Sequence, residues 1–146
     1  MTRERIITTL PNGGVAVTCP AEGAILCLQH GTTGPWHPWF GRPWWFAHVQ
    51  WARMVRRGVK AKAAWRYCQT MMTGGASRRE AIEIIAGRDC GHLGTALEIV
   101  DVSELPDDRT YRDAWRRSQN GGPVWIDEKA QAAIEEERTW RAYERA

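Results

Sequence analysis

With 146 residues, 43% of them hydrophobic and 25% charged, the chain has the make-up of one folded domain, which excludes wholesale disorder. No stretch approaches the roughly 18 apolar residues of a membrane-spanning helix, and no apolar run follows the opening Met-Thr-Arg-Glu-Arg, so neither a membrane span nor a signal peptide is expected. The net charge of +3 hides a separation: residues 23–79 hold nine Lys or Arg and no Asp or Glu, while residues 80–146 hold fifteen acids against nine bases.

Residues 5–10 are rich in β-branched side chains and read as a strand. The Asn12-Gly13 pair favours a tight hairpin turn, residues 15–18 return as a second strand, and Pro20 ends it. Residues 21–29 fit a short helix stopped by Gly31. Residues 31–43 interleave Gly31, Gly34, Gly41, Pro35, Pro38 and Pro43 with Trp36, Trp39 and Phe40, and so form a loop. Pro43 suits the first turn of the helix that follows, residues 44–57. There Trp44, His48, Trp51 and Val55 share one face, with Arg53, Arg56 and Arg57 off it. After Gly58, residues 59–73 read as a third helix with Ala61, Ala64, Trp65, Cys68 and Met72 inward.

Gly74-Gly75 ends that helix, and Ser77 with Glu80 forms a capping box for the next. It runs to about Arg88 and buries Ala81, Ile82, Ile84 and Ile85. Residues 96–101 alternate as a strand, and 103–108 turn. Residues 110–118 read as a short helix with Tyr111, Ala114 and Trp115 inward and an Arg109–Asp113 pair one turn apart. Residues 124–126 form a last short strand, and Asp127 caps an acidic C-terminal helix, 127–146. The expected fold is α+β: a single domain, 1–146, with a small, mostly antiparallel sheet built from the hairpin and two later strands. A helical, basic, Trp-rich insertion, 34–73, packs on it.

Two strings, Gly13-Gly14-Val15-Ala16-Val17 and Leu105-Pro106-Asp107-Asp108-Arg109-Thr110-Tyr111-Arg112-Asp113-Ala114-Trp115, resemble a family of small phage and prophage proteins with a GGVxV hairpin and a DRT(F/Y)RxAW motif. Gly74-Gly75, residues 80–85 and Arg88-Asp89-Cys90 resemble its alphaproteobacterial branch. The family has no assigned activity. The resemblance implies a phage or prophage origin and a virion or accessory role, hence the cytoplasm of a bacterial host or the virion as location, and it implies no catalytic residue. The tryptophan cluster at 36–51 is heavier than that pattern, and the last helix is shorter.

The insertion supplies the candidate contact residues. Trp36, Trp39, Trp44 and Trp45 are anchors, and Arg42, Arg53, Arg56 and Arg57 steer an acidic partner. The leading expectation is a non-enzymatic binding protein of a virion or tail module that docks an acidic protein surface. One alternative is an inhibitor of a host-defence nuclease complex, of the anti-CRISPR kind. Another is a nucleic-acid-binding accessory protein, because cations with flat rings also suit phosphates and unpaired bases. Cys27, His30, Cys90 and His92 are the zinc candidates by residue type, against the simpler reading of structural thiols with no cofactor. Glu135, Glu136 and Glu137 read as a solvated run. Two alternatives place the acidic helix on the chain's own basic insertion or on that of a neighbouring copy in a homo-oligomer.

Overall fold

A computed structural model of the chain describes residues 2–146. The fold is α+β. Strand β1 (Glu4–Thr9) pairs antiparallel with β2 (Val15–Thr18) on one side and with β3 (Thr95–Asp101) on the other, giving the order β2-β1-β3. The hairpin closes as the Asn-Gly pair requires: Gly13 has a φ of +83°, and the Gly14 amide donates to Asn12 Oδ1 at 2.9 Å.

As the central strand, β1 is buried on both faces. Ile6 and Ile99 are directly opposite and face one way, and Ile7 and Val17 face the other. A one-residue alternation therefore feeds two cores. The Ile6 side is covered by α1 (Glu22–His30), α3 (Ala61–Thr73) and α4 (Arg78–Asp89), which bury Ile25, Leu28, Cys68, Met71, Ile82 and Ile85 against it. The Ile7 side is covered by Val100, Leu105 and Trp115. The capping box of α4 is formed, with the Glu80 amide on Ser77 Oγ and the Ser77 amide on the Glu80 carboxylate. Helix α2 (Trp44–Arg56) packs on α3.

The insertion begins and ends at one point. Gly31 closes α1 and Gly74 closes α3, with φ of +63° and +69°. Their backbones touch so closely that a Cβ on either would stand 2.6 Å from the other's amide nitrogen. Only glycine allows both the left-handed turn and the approach.

The C-terminal third differs from expectation. Residues 110–118 do not form one helix. A 3₁₀ segment, Arg109–Ala114, leaves helical geometry at Tyr111 (φ −107°, ψ 33°). The chain then extends as β4 (Trp115–Arg116), which pairs with β5 (Trp125–Ile126) in a second, two-stranded sheet. The later strands thus divide between two sheets. The tighter 3₁₀ winding also misaligns Arg109 and Asp113, which form no ion pair among the described residues. Tertiary contact decides this: extension drops Trp115 fully into the Ile7 core and carries Arg117 between the sheets.

Arg117 is a clasp. Its side chain is 1% exposed. Nε donates to the Gly122 carbonyl at 2.8 Å, Nη1 to Ala96 O and Thr9 Oγ1, and Nη2 to Glu98. A planar fork is the one side chain that reaches so many acceptors on separate segments. The last helix, α5 (Glu128–Arg145), is capped by Asp127, whose carboxylate accepts from the amides of Lys129 and Ala130.

Candidate docking face

The loop before α2 is a series of tight turns: the amides of His37, Phe40 and Arg42 donate to Gly34, His37 and Trp39 respectively. These turns point Trp39 inward. It is 8% exposed and meets Phe46 and Tyr67 edge-to-face, at 5.3 and 6.2 Å. Expected as a contact residue, Trp39 instead fastens the loop to the core. His37 helps. Its Nδ1 accepts from the Trp39 amide at 2.9 Å, which assigns the ring proton to Nε2, and burial pushes its pKa down, so the ring is neutral.

Trp36, Trp44 and Trp45 are exposed, as expected of anchors. Trp36 meets His30 edge-on at 6.0 Å and walls an apolar groove of about 380 Å³ against Leu26 and Met71. Arg42 lies over the Phe46 ring at 5.0 Å, a cation–π contact that holds it beside the loop.

The face that α2 turns to the core is Ala47 with Phe46, Trp51 and Met54. The expected stripe of Trp44, His48, Trp51 and Val55 is rotated from it, and follows the edge where α2 meets α3. There Trp51 Nε1 donates to Ala61 O at 2.9 Å, and His48 lies 4.9 Å from the Trp65 ring. Trp44 and Val55 are exposed. On α3 the buried set is Ala64, Tyr67, Cys68 and Met71, with Ala61 exposed.

The outward face of α2 reads Trp45, Val49, Arg53, Arg56. These positions are i, i+4, i+8 and i+11, one side of a helix, and all four are exposed. Aromatic surface therefore stands at the N-terminal end of the stripe and cationic surface at the C-terminal end. Arg57 and Lys60 follow the cationic end in the chain, and Lys62 and Arg66 are exposed on α3. None of these cations has a carboxylate partner among the described residues. Arg78 and Arg79 leave the basic surface: Arg78 bridges Glu4 at 2.9 Å and Glu22 at 2.7 Å, and Arg79 pairs with Glu83. The Arg78 bond holds the Glu4 carboxyl down at about 2.

The zinc candidates are not gathered: among the described residues no group of three or more His, Cys, Asp or Glu is placed to hold a metal. Cys27 and Cys90 are buried, Cys90 donates to Thr18 Oγ1, and burial raises both thiol pKa values. His30 and His92 are exposed. Nor does α5 lie on the chain's own basic helices. Its middle is fastened to the 3₁₀ segment, through Tyr111 OH on Glu135 at 2.6 Å and Arg138 on Thr110 O at 2.6 Å.

Two features lay outside the sequence reading. Arg117 has no signal in a sequence, since one arginine among many looks solvated. Trp140 and Tyr143, 60% and 75% exposed and three residues apart on a polar helix, were legible as an aromatic pair. Among the described residues no helix is long and apolar enough to cross a membrane. Compared with protein-family models, curated proteins and solved structures, the chain finds no match.

Proposed function

We propose that this chain is a non-enzymatic binding protein of a phage or prophage, and that the outward face of α2 docks an acidic protein surface. The observation that carries the reading is the order of that face, Trp45 and Val49 at one end and unpaired Arg53 and Arg56 at the other. The face spans about 16 Å from Trp45 to Arg56 at 1.5 Å per residue, with the apolar part meeting the cationic part between Val49 and Arg53, about 6 Å apart. Single-stranded nucleic acid wants rings and cations together along one track, base by phosphate. A protein interface wants an apolar anchor beside a steering charge, as here. The virion or tail module is the proposed setting, on the resemblance of the hairpin and DRTYRDAW strings.

A photo-crosslinking amino acid in place of Val49 tests this in cells, with Ala132 on α5 as the control position. The expected result is a protein captured from position 49 and lost when Arg53 and Arg56 become Ala. Capture of a particle component supports the virion setting, and capture of a host nuclease complex replaces it with an anti-defence role. Binding of DNA or RNA that weakens steeply with salt and disappears in the same double variant would overturn the protein-docking reading.

A further inference from the structure

Beyond Arg138, α5 bonds no other element among the described residues. From Glu135 onward every residue of the helix is exposed, although Glu135 and Arg138 still bond the 3₁₀ segment. Ala133, Glu136, Trp140 and Tyr143 repeat at i, i+3, i+7 and i+10, and line one open groove. Trp140 and Tyr143 lie near-parallel with ring centroids 6.0 Å apart at 28°, and both rings are exposed, an apolar pair (the Trp140–Tyr143 plate) in solvent. Glu137 is paired with Arg141 on the same helix, while Glu136 has no ion-pair partner among the described residues.

This face is the complement of the α2 stripe, read in reverse. Along α2 the order is aromatic, aliphatic, cation, and along α5 it is acid, then aromatic. From Trp45 to Arg53 is eight residues and from Glu136 to Tyr143 is seven, so both spans are about 11 Å. Laid antiparallel, Trp45 meets the Trp140–Tyr143 plate and Arg53 meets Glu136. Laid parallel, Trp45 meets Glu136 and Arg53 loses its carboxylate partner. Within one copy all of these residues are exposed, so the two faces do not meet there.

We infer that the occupant of the α2 face is the distal half of α5 from a second copy, packed antiparallel, so that copies join head to tail. The inference rests on the docking reading above and names its partner. The contact is heterologous: a joined pair retains one unused face of each kind, and assembly proceeds until a ring closes or a filament grows.

Sedimentation velocity across a wide concentration range, at low and high salt, tests this with three variants. Wild type is expected to associate, and less so at high salt. R53E/R56E spoils one face and W140A/Y143A the other. Each variant alone should lose about thirtyfold or more in association constant, as loss of an interface anchor does. Mixed together they should form a one-to-one complex that grows no further, because one intact face of each kind remains. All four substituted positions are exposed, and circular dichroism checks that the variants fold. R53E combined with E136R should regain association by reversing the pair. A wild type that stays monomeric at the highest concentration and lowest salt overturns the inference, as does a mixture that stays monomeric. If position 49 still captures another protein in that case, self-docking falls and the docking face stands. If it captures nothing, both fall.

Discussion

Trp39→Ala and Trp45→Ala separate the core tryptophans from the surface ones. Trp39 is 8% exposed and Trp45 is 62% exposed. Burying a tryptophan removes about 200 Å² from water, worth about 5 kcal/mol at 25 cal/mol per Å². Alanine retains part of that, and measured losses for such truncations run at about 3–5 kcal/mol. The edge-to-face contacts with Phe46 and Tyr67 disappear too, so about 4 kcal/mol is expected for Trp39→Ala. Trp45→Ala should cost less than about 1 kcal/mol, as surface changes do. With a urea slope of about 2 kcal/mol per M, the Trp39 variant should unfold about 2 M earlier and the Trp45 variant near wild type. Far-UV circular dichroism reads the transition without relying on tryptophan fluorescence. A Trp39 variant within about 0.5 M of wild type on that slope, or equal midpoints for both variants, would refute the assignment of Trp39 to the core.

Three further outcomes are expected. Arg117→Met should cost about 2–4 kcal/mol by orphaning buried acceptors on separate segments, and Arg117→Lys should restore part of it; a thermal melt unchanged in the Met variant would remove the clasp. Gly31→Ala should destabilise by at least about 2 kcal/mol through strain and clash together, whereas Gly58→Ala, with a positive φ but open space around it, should cost only the conformational part. Comparable denaturation midpoints would contradict the close approach. The Glu4–Arg78 bond lowers the folded-state pKa of Glu4 to about 2, so its stabilisation is full above the ordinary carboxylate range and is lost as pH falls toward 2. Arg78→Ala should flatten that part of the stability–pH curve, and an unaltered curve would show that the bridge contributes nothing.

The hairpin, α1 and α4 were legible because local chemistry dictates them: Asn12-Gly13 for the turn, Gly31 for a helix end, Ser77 with Glu80 for a helix start. The face of α2 was not. Its strongest periodic stripe marks the edge against α3, because α2 carries exposed apolar residues (Trp44, Trp45, Val49, Val55) as well as buried ones, so its apolar positions run around more than half of its circumference. Residues 109–117 have helical composition, yet the burial of Trp115 and the reach of Arg117 override it. The candidate site was legible in kind, as Trp and Arg without acids. Which ring turns inward depended on loop turns that composition does not encode.

The strand made first is covered last. On the ribosome, β1 precedes the other elements of this fold, and β2 follows within a few residues. The cover for its Ile7 face does not exist until Val100, Leu105 and Trp115 have been synthesised. At about 5–20 residues per second, the 108 residues from Ile7 to Trp115 take on the order of 5–20 s. For that interval the nascent chain carries an apolar β-hairpin with an open edge, the kind of surface that chaperones hold and that mispairs with neighbouring chains. That hazard ends in steps, as β3 pairs along the free edge of β1 and Trp115 then completes the cover of Ile7.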